Sequence, residues 1–107
     1  MGQDQWEGLE LINNTSAPKK RFEMEVEGKT AIVEYILPNS QIIYLTHTEV
    51  PRELEGKGVA SAIVSKVLNY IRENGLKMAP LCPFVAAYLK RHPGAADDIM
   101  APGFSIS

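Results

Sequence analysis

The hydrophobic period of this chain changes across residues 50–60, and that change limits the folds open to it. Upstream of Val50, apolar residues alternate or cluster as they do in strands. Downstream, Ala60, Ile63, Val64, Val67, Leu68 and Ile71 recur at i, i+3, i+4, i+7, i+8 and i+11, the stripe of an amphipathic helix. Between the two lies Val50-Pro51-Arg52-Glu53-Leu54-Glu55-Gly56-Lys57-Gly58-Val59-Ala60, with two glycines one residue apart. Asn74-Gly75 stops the helix, and the apolar run 76–81 follows at once. Strand, helix and strand predict a right-handed crossover in which 76–81 lies parallel to 41–50.

The remaining segments build around this unit. Residues 22–27 alternate apolar and acidic, as in a strand with one wet face. Gly28-Lys29 reads as a type II′ hairpin turn. Residues 30–37 return as a second strand, and Pro38-Asn39-Ser40 is a second turn. Residues 41–50 are a third strand, with Ile42, Ile43, Tyr44 and Leu45 buried on both faces. Pro83 suits the first position of a second helix carrying Phe84, Val85, Tyr88 and Leu89, which ends near His92-Pro93-Gly94. The fold class is therefore mixed α/β: a twisted sheet, an antiparallel meander first and then a β-α-β-α crossover. At 107 residues the chain fits one domain, 1–107, with 1–20 and 95–107 less ordered. Trp6, Leu9, Leu11 and Ile12 suit a short strand or a docking segment.

Composition removes several classes of function. A net charge of −2 gives no basic field for nucleic acid. No apolar run is long enough to span a membrane, and the acidic first ten residues do not read as a signal peptide. A lone cysteine, Cys82, precludes an internal disulfide and suits a reducing, cytoplasmic setting. No His/Cys/Asp/Glu spacing calls for a metal.

The glycine loop carries the chemistry. A helix N-terminus offers unpaired N–H groups and the positive end of the macrodipole, and glycines let an anion approach the backbone. The loop reads as a diphosphate cradle rather than a plain turn. It is no P-loop, because Val59 follows Gly58 where Lys-Ser/Thr is required, and no dinucleotide fingerprint, which needs three glycines. Glu53 and Glu55 cost Coulomb energy against an anion unless they point away, and Lys57 offsets part of that.

Cys82 falls at the end of a parallel strand and before a helix, on the same carboxyl edge of the sheet as the glycines. A thiol at a helix N-terminus has more thiolate character, so Cys82 suits an acyl-accepting or amine-handling role; a small buried hydrophobe is the plain alternative. His47 suits a general base, as does Glu49, and alternation puts both on the face of Ile43 and Leu45. A satisfied strand histidine is the competing reading. His92 fits a helix cap. Pro80 deletes a ladder donor, so the two parallel strands separate near it.

Residues 53–60 resemble motif A of the GNAT N-acetyltransferases, usually Gln/Arg-x-x-Gly-x-Gly/Ala. The likeness extends to a minimal single-domain group of that superfamily: His47-Thr48-Glu49-Val50-Pro51 precedes the glycines and Leu81-Cys82-Pro83-Phe84-Val85 follows them. It covers about residues 22–93. The resemblance implies acetyl-CoA, or coenzyme A, as the cofactor. Glu55, Gly56, Lys57, Gly58, Val59 and Ala60 would lie around its diphosphate, Thr48 and Val50 along its pantetheine, and Phe84 and Tyr88 against it. It implies Cys82 and His47 as catalytic residues and transfer of acetyl to an amine, a protein or peptide lysine or a small amine. The alternative is a non-catalytic CoA or acyl-CoA-binding module. A monomer or weak homodimer is expected, with no nucleic-acid or membrane partner.

Overall fold

Alternation in the first strands becomes a one-sided sheet. A computed structural model describes residues 5–104. Strands β1 (Ile12–Asn14), β2 (Arg21–Val26), β3 (Lys29–Ile36) and β4 (Ile42–Glu49) pair antiparallel in that order. Helix α1 (Val59–Glu73) then leads to β5 (Lys77–Pro80), which pairs parallel to β4, and α2 (Pro83–Arg91) follows. This is the expected mixed α/β architecture.

Phe22, Met24 and Val26 on β2 share a face with Ala31, Val33 and Tyr35 on β3, and all six are buried. Ile43, Leu45 and Met78 continue that face across β4 and β5. Both helices bury their apolar residues in the same cluster: Ile63, Val64, Val67 and Ile71 from α1, and Val85 and Leu89 from α2. The other face carries Glu23, Glu25, Glu34 and Thr30, with Ile32 and Ala79 its buried exceptions, so the sheet has one dry side and one wetter, mostly polar side.

Two local features depart from the sequence expectation. The hairpin turn is Glu27-Gly28, with φ of 53° and 80°, and not Gly28-Lys29. Burying Phe22 opposite Val33 and Met24 opposite Ala31 fixes the pair Val26–Lys29 and leaves two residues to turn, both left-handed as a type I′ hairpin needs. The second departure is a bulge. Glu34 faces His47, but Tyr35 faces Leu45, so Thr46 is an extra residue in β4. Its hydroxyl donates to the Glu34 carbonyl at 3.2 Å. Beyond Thr46 the alternation inverts.

The helix ends follow the sequence signals. Gly75 takes φ 68°, Leu76 N–H reaches the Ile71 carbonyl at 3.0 Å, and Gly75 N–H reaches that of Arg72 at 3.3 Å. That is a Schellman closure, which lets the chain enter β5 directly. Pro83 opens α2 and His92 caps its end.

The flanking segments are more integrated than expected. Residues 96–101 lie along the free edge of β5: Met78 N–H donates to the Ile99 carbonyl at 2.6 Å and Ala101 N–H to that of Met78 at 2.9 Å. Ala96, Ile99 and Ala101 are buried. Arg72 holds this segment with a forked pair to Asp98, at 2.6 and 3.0 Å, which draws the Asp98 carboxyl below its ordinary range. At the other end Tyr35 Oη donates to Asn13 Oδ1 at 2.7 Å, and burial raises the Tyr35 phenol above its usual value. Trp6 is buried. Among the described residues no helix is long and apolar enough to cross a membrane.

Candidate coenzyme site

The site forms where β4 outruns β5. The parallel ladder ends at Leu45–Pro80, yet β4 continues to Glu49. Cys82 N–H closes the ladder by donating to the Leu45 carbonyl at 2.8 Å. Thr46 to Glu49 therefore have no β5 partner, which is the separation that Pro80 signals in the sequence. A 3₁₀ turn over Arg52–Leu54, anchored by buried Leu54, carries the chain to the glycines.

Gly56 and Gly58 both have φ 82°. In that left-handed conformation an L side chain is strained, so glycine belongs at both places. Gly58 is the N-cap of α1, and its carbonyl accepts the Ala62 N–H at 3.0 Å. Among the described residues no side chain caps this end, and its first turn holds no acid. The amides that begin α1 thus have no side-chain partner among the described residues, and the helix dipole favours negative charge there.

A cleft of about 380 Å³ opens onto this helix start. Thr48 from β4 and Val50 just beyond its end lie on one side. Glu55, Gly56, Gly58, Val59 and Ala60 form the floor, and Phe84 from α2 the far wall. These are eight of the residues that the sequence assigns to the cofactor. Leu54, Ser61 and Arg91 complete the lining. Arg91 is the cation that the sequence reading missed. It sits on the last turn of α2 with its guanidinium carbon 5.9 Å from the Phe84 ring centre. Its signal was available: Phe84 and Arg91 are seven residues apart on one helix, two turns along the same face.

Lys57 and Tyr88 are not part of the lining. The Lys57 ammonium instead lies 3.8 Å from a Glu27 carboxylate in an exposed pair, so it does not offset Glu55 within the cleft. Glu53 is exposed on the 3₁₀ turn and away from the lining. Tyr88 is buried and stacks on His92 with ring centres 4.1 Å apart. At i+4 from Phe84 and i−3 from Arg91 it shares their stripe of α2, but its ring is buried and committed to His92 rather than to the cleft.

The two proposed catalytic residues are not brought together. Cys82 is 2% exposed and caps α2. Its Sγ lies 3.2 Å from Thr48 Oγ1, where either atom can donate, so it sits behind the lining. The bulge puts Thr48 opposite Val33, on the dry face, and His47 opposite Glu34, on the wet one. His47 and Glu49 are both exposed there and do not share the face of Ile43 and Leu45. One inserted residue is the physical reason: strand alternation has a period of two, so an extra residue exchanges the faces downstream.

Comparison with known proteins agrees with this geometry. A family model described as GCN5-related N-acetyl-transferase matches residues 21–99. The chain is also similar to "Protein NATD1" from Mus musculus and from Gallus gallus, each 29% identical over 77 residues, covering 70% of this chain and 70% of the relative. The Homo sapiens protein of that name is likewise 29% identical over 77 residues, with 70% and 68% covered. The matched span runs from the start of β2 to the segment that seals β5, and so contains the whole cleft; the chain belongs to the GCN5-related N-acetyltransferase family.

Proposed function

We propose that this protein binds acetyl-CoA in the cleft at the start of α1 and transfers the acetyl group to an amine. The observation that carries the proposal is the uncapped helix start at Gly58, the second of two left-handed glycines, facing a cleft that also holds Arg91. Backbone amides from Gly56 to Ser61 would hold the diphosphate, and Arg91 would add a cation for a phosphate group. The backbone at Thr48 and Val50, where the end of β4 has no β5 partner, would take the amides of the pantetheine arm. When bound, acetyl-CoA supplies an activated acyl group as a thioester; an amine that receives it becomes an amide and the coenzyme thiol is released.

In this reading the Thr48–Cys82 pair works as a unit. Their 3.2 Å contact, in which either atom can donate, would put a proton donor beside the cleft wall to protonate the departing coenzyme thiolate. His47 and Glu49 stand on the opposite face of the same strand end. One of them would take the proton from an acceptor amine that arrives from the wet side. The acceptor would be a protein or peptide lysine or a small amine.

The same arrangement favours a second reading, a CoA-binding module without transfer, because Cys82 is buried and no histidine lines the cleft. Incubation of the purified chain with acetyl-CoA and a panel of amines, with free thiol as the readout, separates the two. Transfer is expected, with Cys82→Ala slowing it by about two orders of magnitude or more. Tight CoA binding with no turnover for any amine would support the module instead.

A further inference from the structure

Trp6 is the single tryptophan of the chain, and it is used far from its own place in the sequence. It is 7% exposed, and its indole Nε1–H donates to the Lys57 carbonyl at 2.8 Å, across 51 residues. The segment around it is closed by a local turn and fastened once more to the fold. Leu9 N–H donates to the Trp6 carbonyl at 3.1 Å, and Lys66 Nζ on α1 donates to the Glu7 carbonyl at 2.6 Å.

The Lys57 carbonyl lies between the two left-handed glycines, the place where the loop has least steric resistance to turning a peptide plane over. The Lys57–Gly58 peptide is trans. In a trans peptide the C=O and the following N–H point in opposite directions. A donor that fixes the Lys57 carbonyl therefore also fixes the Gly58 N–H, on the side away from the indole. Gly58 lines the cleft. The Lys57 side chain cannot do this work, since it leaves toward Glu27.

We infer that Trp6 is a positioning residue for coenzyme binding: its indole N–H locks the Lys57–Gly58 peptide so that the Gly58 amide is presented to the cleft before the ligand arrives. This rests on the coenzyme reading above and adds to it a role for the N-terminal segment. The neutral hydrogen bond involved corresponds to about a three- to tenfold change in affinity.

The test is calorimetric titration of CoA into the full chain, into Trp6→Phe, and into a chain with 3-benzothienylalanine at position 6. The last keeps the bicyclic shape and replaces the N–H by sulfur, so core packing is retained. Both variants are expected to bind CoA three- to tenfold more weakly, with the Gly58 amide resonance displaced in the free protein. Their unfolding midpoints should differ, the benzothienyl chain staying near the wild type while its affinity falls. If Trp6→Phe does not fold, the benzothienyl chain alone decides. Wild-type affinity in the benzothienyl chain would overturn the positioning role and leave the coenzyme reading standing. No binding of CoA by the wild type would overturn both.

Discussion

Gly58 holds φ at 82° while its carbonyl starts the hydrogen-bond ladder of α1. A side chain in that conformation meets its own carbonyl, at a cost of about 1–2 kcal/mol. Gly58→Ala is therefore expected to lower the free energy of unfolding by that amount in a denaturant titration. It should also weaken CoA binding, because the strain is relieved by turning the amides that face the cleft. Unchanged stability would mean that the helix begins elsewhere. At this scale the sequence was informative where a residue type answers a backbone need: two glycines, Pro83 at a helix start, Asn74-Gly75 at a helix end. It was silent on where a side chain turns. Nothing local says that Lys57 leaves for Glu27, or that Cys82 shelters behind Thr48.

Among the elements, the β2–β3 hairpin and the β4 bulge show how one residue redirects a strand. Glu27 takes φ 53° in the turn, a conformation that asparagine tolerates far better and that Asn-Gly favours. Its ion pair with Lys57 is long and exposed, so little is lost with it. Glu27→Asn is expected to raise stability by about 0.5–1 kcal/mol, read as a higher denaturation midpoint at an unchanged slope. A drop would show that the pair to Lys57 matters more than the turn. Strands and helices were legible because their periods differ. The bulge was not: Thr46 interrupts the alternation of Ile43, Leu45 and His47 without changing its appearance. Only pairing with Glu34 and Tyr35 on β3 reveals that His47 has changed faces.

Over the whole molecule, contacts between distant segments complete the site. Trp6 reaches the glycine loop, Thr48 reaches Cys82, and Arg91 comes from the last helix to a cleft started by β4. The cleft itself could be read from the order strand, glycine loop, helix, strand, because a crossover brings both strand ends to one edge of the sheet. The N-terminal and C-terminal segments could not be placed, since their few apolar residues show no period until the core they join exists. The central claim is that amides at the start of α1 hold the anionic middle of a coenzyme. It is tested most directly by following the backbone amide resonances while CoA is added. The account predicts saturating shifts that are largest from Gly56 to Ser61, with a second group at Thr48 to Val50 and at Arg91. Saturation with those resonances unmoved, or no shift at all at millimolar CoA, would contradict it.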